Sequence, residues 1–271
     1  PRPPSSTLFP YTTLFRSDPA LFLAMGIFAL AFVVLYFVNI PEPHIVKTSA
    51  KKEKSKHSAL SFRHFVLGTV AIFIYVGVEV GIPNFANLFM TSPEINIDPT
   101  IAGSVVGTYW FLMMIGRLCG ASIGAKVSSR AMLTVVSTVG IALVLGAIFC
   151  ADNILVNMPV FKSDISFGFA QVPVNVMLLI LCGLCTSVMW GGIFNLAVEG
   201  LGKYTAAASG LFMVMVCGGG ILPLIQGGVA DFAGFLNSYW VIALGLAYIL
   251  FYAAIGSKNV NTDIPTDDYE A

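Results

Sequence analysis

Charge is what this sequence has least of. Lys, Arg, Asp and Glu together make up 10% of its 271 residues, against about 25% in ordinary soluble domains. Basic and acidic residues balance at 14 each, so there is no cationic surplus of the kind that grips nucleic acid. Histidine occurs three times and never near the cysteines, which leaves a zinc cluster without its ligands. Of the five cysteines, Cys182 and Cys185 form a C-x-x-C. No second pair accompanies it, and cysteine within an apolar run behaves as a small hydrophobe. Paired acids, a serine with a base, or a histidine-rich metal cluster would mark an enzyme. None of these is visible, so no catalytic residue and no metal site are expected.

What the chain has in abundance is apolar surface: 57% hydrophobic residues, 21 of them Phe, and a mean hydropathy of +0.86. A water-soluble globule could not cover itself with so few charges, so lipid must solvate much of it. A hydrocarbon core about 30 Å thick needs about 20 apolar residues in a helix. Seven runs qualify: 20–40, 65–90, 102–125, 132–151, 174–198, 205–230 and 235–256. Proline and glycine punctuate the breaks, as at Pro41, Pro93, Pro159 and Gly200. Eleven Lys and Arg residues fall on one side of this weave, from Lys47 to Lys258, and only Lys162 falls on the other. The positive-inside bias therefore places the polybasic loop and the carboxyl tail in the cytoplasm.

The opening stretch TLFPYTTLFRS, Thr7–Ser17, fits none of this. It lacks the charged start and apolar core of a signal peptide. Back-translated, its eleven residues read as a short-read sequencing adapter. Residues 1–17 are thus expected to be a library artefact, and the protein proper to have been longer at its amino end. The remaining segments are expected to be a membrane helix at 18–40, a basic cytoplasmic linker at 41–64, a six-helix bundle at 65–256, and an acidic, disordered cytoplasmic tail at 257–271. The connection at 151–173 is long and mixed, and its structure is left open.

Within the spans, the exceptions to apolar character mark the candidate site. Glu79 lies mid-span in IYVGVEVGIPNF, where a charged acid costs about 2.5–3.5 kcal/mol on insertion scales. Pro83, four residues on, is expected to break the helix; Asn84 and Asn87 follow, and Tyr75 stands one turn before. An acid beside broken backbone and amides suits a polar solute inside a membrane. The plain alternative is a structural acid bonded to a neighbouring span. Arg117 either pairs across a gate or snorkels to headgroups. Gly116, Gly120 and Gly124 beside it make a bare face that another helix can approach. Trp190, Asn195 and Gln226 add an aromatic plane and two amides, with Gly191–Gly192, Gly218–Gly220 and Pro223 as bending points. Tyr109 and Trp110 are weaker members of this set. Rings flanked by amides suit a monosaccharide, whose C–H faces stack while its hydroxyls take paired donors and acceptors. Close helix packing explains each residue singly almost as well.

YVGVEVGIPNF (Tyr75–Phe85), GTYWFLMMIGRLCGASIGAKVSSR (Gly107–Arg130), and IFNLAVEGLGKYTAAASG with GGGILPLIQGGVAD (Ile193–Asp231) resemble the fucose permease and glucose/galactose transporter branch of the major facilitator superfamily. The resemblance covers about residues 65–256. It implies an all-α membrane protein of seven transmembrane helices, equivalent to the last helix of the first half plus the six-helix carboxyl-terminal half of such a transporter. It further implies a bacterial inner-membrane protein whose partners are the lipid bilayer, a monosaccharide and a missing amino-terminal half. Its activity would be proton-coupled sugar import by alternating access, with the proton as coupling ion and no other cofactor. The family's coupling acids lie in the first half, so this piece alone is expected not to transport. Glu79, at a position the family fills with Glu or Gln, would bond sugar together with Asn84 and Asn87, and Trp190 and Asn195 would add to the site. The rival class, a seven-helix receptor-like or structural membrane protein, finds no lysine in the seventh span to hold retinal and leaves Glu79 unexplained.

Overall fold

The computed structural model describes residues 11–38, 57–151, 153–162, 166–261 and 263–266. It separates into two units, residues 1–54 and 55–271. Among its described residues the first holds one helix, α1 (Tyr11–Phe37). From Phe22 onward nearly every side chain of α1 is exposed, Phe22, Phe28 and Phe37 among them. A helix apolar on all sides is made for a non-aqueous surrounding. It begins seven residues ahead of the boundary expected at Asp18, so Tyr11–Ser17 continues the helix.

The second unit contains α2 (Arg63–Thr91), α3 (Pro99–Gly124), α4 (Ser129–Phe149), α5 (Val174–Thr186), α6 (Met189–Val198), α7 (Thr205–Val214), α8 (Gly218–Ala233) and α9 (Phe235–Phe251). With their short 3-10 and π-helical continuations these form six segments long and apolar enough to cross a membrane. The expected bundle is present, and its limits shift slightly. Arg63 and His64, expected in the linker, open α2, and Phe62 is fully buried ahead of it. The lysine run itself, residues 47–56, lies outside the described residues.

Side-chain oxygens set several helix starts. Asp98 accepts from the Thr100 N–H at 2.8 Å with Pro99 at the first position of α3, and Ser128 accepts from the Ala131 N–H to open α4. The bond from Thr100 holds the exposed Asp98 carboxyl below its ordinary range.

Two spans are discontinuous. The fifth breaks at Ser187–Val188 between α5 and α6, and the sixth passes through a 3-10 turn, Met215–Cys217, between α7 and α8. Both defects fall just ahead of the glycine clusters that sequence marked as bending points. At the first break the hydroxyls compete for backbone: Ser187 Oγ donates to the Leu184 carbonyl at 2.6 Å, and Thr186 Oγ1 donates to Cys182 and Gly183. The freed Thr186 carbonyl accepts from the Tyr75 hydroxyl at 3.1 Å.

Two expectations change, and one open connection takes form. First, α2 is not broken at Pro83; it runs unbroken from Arg63 to Thr91. Proline removes the donor that would have served the Glu79 carbonyl four residues back. The Tyr109 hydroxyl replaces it at 3.3 Å, so the helix continues. Second, the 151–173 connection is a β-hairpin, β1 (Leu155–Phe161) antiparallel to β2 (Phe167–Pro173). Third, in the expected disordered tail residues 257–261 and 263–266 are described and make contacts with the bundle. Asn261 Oδ1 accepts from the Arg63 N–H at 2.9 Å, Thr266 accepts from the Lys203 N–H, and Ile264 packs on the core. The first turn of α2 has orphan donors to satisfy, and the tail supplies an acceptor.

The glycine row of α3 is used unevenly. A Cβ on Gly116 would collide with the Ser187 side chain, and one on Gly120 with Val188, so α3 lies directly against the α5–α6 break. Gly124 meets only Met132 Cε at 4.0 Å and is exposed. Gly116→Ala is therefore expected to lower the thermal midpoint of the purified protein, by an overpacking cost of about 1–3 kcal/mol. Gly124→Ala should leave it level or raise it, since alanine favours helix by up to ~1 kcal/mol. Equal effects at both positions would refute the close approach.

Candidate functional site

The site begins with an ion pair: Arg117 Nη2 lies 3.2 Å from Glu79 Oε1. The carboxylate sits midway along α2 with its side chain 14% exposed, while the guanidinium on α3 is 57% exposed. Arg117 thus answers the acid on the adjacent helix. An acid in hydrocarbon needs a counter-charge or a proton, and here the counter-charge faces open space.

That space is a cavity of about 620 Å3 whose wall includes Arg117, Gly120, Ser187, Trp190 and Asn195. A second cavity of about 440 Å3 shares Ser129 and Asn195 with it and continues past Arg130 to Glu199. Trp190 is half-buried and stands edge-on to Tyr75, centroids 6.2 Å apart, and to Phe212 at 6.1 Å. Its ring is held in place by packing with one side left to the cavity. Asn195 lies one and a half turns on along α6 with its amide exposed. Guanidinium, indole and amide therefore line a space large enough to admit a monosaccharide.

Behind this wall lies a hydroxyl network that joins two backbone defects. Tyr109 and Tyr75 are fully buried. The Tyr109 hydroxyl reaches both the Glu79 carbonyl and Thr186 Oγ1, the latter at 3.0 Å; Tyr75 takes the Thr186 carbonyl. The proline defect of α2 and the break of the fifth span are thereby satisfied by the same three side chains.

The expected residues divide accordingly. Arg117, Trp190 and Asn195 come together on the cavity wall with Gly120 and Gly124, and Glu79 stands behind Arg117 as its ion-pair partner without lining the cavity itself. Tyr75 is adjacent but buried, so it supports the wall rather than facing a solute. Asn84 is exposed and Asn87 half-buried on the stretch of α2 past Pro83; neither shares a hydrogen bond with Glu79 among the described residues. Gln226 does not line the cavity. It is 1% exposed, wedged against Gly81, and donates Nε2 to Ser238 Oγ at 3.4 Å. It is an interhelical amide bond, which removes it from the substrate set. Thr186 and Ser187 were missed. Two adjacent hydroxyl residues ahead of a glycine pair in mid-span were the available signal.

Comparison with known proteins adds a third line. The glucose/galactose transporter of Brucella abortus biovar 1 (strain 9-941) is 30% identical over 243 residues, 89% of this chain and 53% of its own. The L-fucose-proton symporter of Escherichia coli (strain K12) is 22% identical over 241 residues, 87% of this chain and 50% of its own. The crystal structure of the transporter FucP in the outward conformation superposes with a TM-score of 0.70 at 22% identity, covering 90% of this chain and 55% of that one. At that identity the superposition speaks for fold. The chain spans about half the length of the curated relatives it matches. The sequence pattern described as Major Facilitator Superfamily matches residues 12–223, well over half the chain. A bundle of six spans, two of them interrupted, with the fold of a solved family member and this pattern along its length, belongs to the Major Facilitator Superfamily, a family of membrane transporters and not of enzymes.

Proposed function

We propose that this chain is the carboxyl-terminal half, with the preceding helix, of a carrier that moves a monosaccharide across a bacterial inner membrane. The observation that carries the reading is Arg117, paired with the mid-span Glu79 behind it, on the wall of a cavity with Trp190 and Asn195. Relatives named for glucose/galactose transport and for L-fucose–proton symport support the sugar class. In this reading the hydroxyls of a hexose or deoxyhexose bond to Glu79, Arg117 and Asn195, and a C–H face lies on Trp190. The carboxyl end and the lysine-rich loop face the cytoplasm. Alternating access rocks this half against a second one, with a proton as coupling ion.

Uptake of radiolabelled galactose and fucose by the full-length carrier in proteoliposomes tests this. Uptake of at least one sugar, faster with an imposed inward proton gradient, is the expected result. Uptake of neither overturns the sugar class, and uptake indifferent to the gradient removes the coupling ion.

A further inference from the structure

The smaller cavity, of about 440 Å3, is walled by Ser128, Ser129, Arg130, Asn195, Leu196 and Glu199. Two charges of opposite sign face it, and neither joins an ion pair among the described residues, where Arg117 and Glu79 form theirs. Each also stands at the wrong end of its helix. Arg130 is the second residue of α4, beside N–H groups that already carry positive partial charge. Glu199 caps the carboxyl end of α6, where the unsatisfied carbonyls are negative. Helix stability gains nothing from either placement.

The surrounding structure fixes both charges beside this space. His64, buried in the first turn of α2, donates Nε2 to the Glu199 carbonyl at 3.0 Å. The main chain at Glu199 is thereby pinned, while its exposed side chain lines the cavity. Ser128 accepts from the Ala131 N–H and holds the turn that carries the half-buried Arg130. Gly200, next after Glu199, has φ 72°, and a Cβ on it would lie 3.0 Å from Asn259 Nδ2. The cavity therefore lies at the end of the bundle that holds the carboxyl tail.

It is also joined to the Trp190 cavity, since Ser129 and Asn195 line both. Asn195 stands between Trp190 and Glu199 in the chain, which together span about 14 Å of axis at 1.5 Å per residue. Its amide both donates and accepts, so it can keep hold of a hydroxyl as a solute passes from one space to the other. The charges select the class of that solute. An inorganic anion would be repelled by Glu199, and a cation by Arg130. A neutral polyol meets neither penalty: one hydroxyl donates to the carboxylate while another accepts from the guanidinium, and Ser129 adapts to either.

We propose that this cavity is a second monosaccharide station, where a sugar released from Arg117 and Trp190 is held by Arg130, Glu199 and Asn195 before it leaves at the tail end of the bundle. This rests on the reading of the chain as half of a sugar carrier. Single cysteines in the full-length carrier test it: Ser128→Cys in the second cavity, and Gly191→Cys in the first, where a Cβ meets nothing within 4 Å. Alkylation by N-ethylmaleimide is followed on each peptide by mass spectrometry, with galactose or fucose present. At a sugar concentration about ten times its Kd, alkylation should slow about tenfold at both positions. With Arg130→Gln and Glu199→Gln added, protection at 128 should vanish while protection at 191 remains. Protection at 191 alone overturns the second station and spares the sugar reading; protection at neither overturns both. Protection at 128 alone upholds the station and removes the sugar from the Trp190 cavity. Protection at 128 that survives loss of both charges reflects closure of the carrier, and overturns the station as well. Should Ser128→Cys not fold, the double glutamine variant carries the test. Release of preloaded sugar from proteoliposomes should slow severalfold with the affinity read by Trp190 fluorescence unchanged, and release at the native rate overturns the proposal.

Discussion

In the full-length carrier, Glu79→Ala is expected to abolish measurable sugar uptake while the protein still inserts and folds. Truncating one partner of a buried, hydrogen-bonded charge pair costs about 2–5 kcal/mol. The pair here is open on its arginine side, with Arg117 57% exposed, and the lower end of that range applies after screening. Even about 2 kcal/mol corresponds to roughly thirtyfold in affinity, and the lost sugar bond adds to it. Arg117→Ala should fall by a similar factor. The double variant should fall little further, since each single change already dissolves the pair. Glu79→Gln separates roles. If Glu79 serves by hydrogen bonding, the amide retains much of the affinity; if the negative charge is what matters, glutamine behaves as alanine. Sugar binding followed through Trp190 fluorescence measures all four variants. Wild-type binding by Glu79→Ala would move the site elsewhere.

The second large effect concerns Tyr109 and Pro83. Tyr109→Phe removes one oxygen and leaves the buried Glu79 carbonyl without its hydroxyl donor, and takes from Thr186 Oγ1 the hydroxyl it contacts. An unsatisfied buried group costs about 1–3 kcal/mol, so a clear fall in unfolding midpoint is expected. Pro83→Ala returns an N–H to the same carbonyl. In that background Tyr109→Phe should cost about 1 kcal/mol less than in the native one. Additivity within the usual ~0.5 kcal/mol would show that the tyrosine is not a substitute for the missing backbone donor.

Much of the architecture could be read from the chain because a bilayer allows few solutions. Runs of about 20 apolar residues become helices there, since each backbone group must find its partner within the same segment. The six long spans and the family follow from that and from the quoted motifs. What sequence missed depended on partners distant along the chain. Pro83 forecasts a break only while Tyr109 is out of view; the hydroxyl arrives from another helix and keeps α2 whole. Gln226 resembles a ligand-binding amide until Ser238 and Gly81 close around it. The hairpin was hidden because its alternation is apolar on both faces, which erases the period-two signal. Asn84 and Asn87 were grouped with Glu79 by closeness in sequence. A rise of 1.5 Å per residue carries them past the cavity. Glu79, Arg117, Trp190 and Asn195 were legible because each is anomalous where it stands.

The segment from Ser257 to Thr266 has a bearing on biosynthesis. The first turn of α2 is the earliest part of the bundle to be made, yet the oxygen that receives its Arg63 N–H arrives with Asn261, 198 residues later. Until the ribosome has passed that codon, the bundle has an unfastened corner, and a message ending a few triplets early would yield six inserted helices without their clasp.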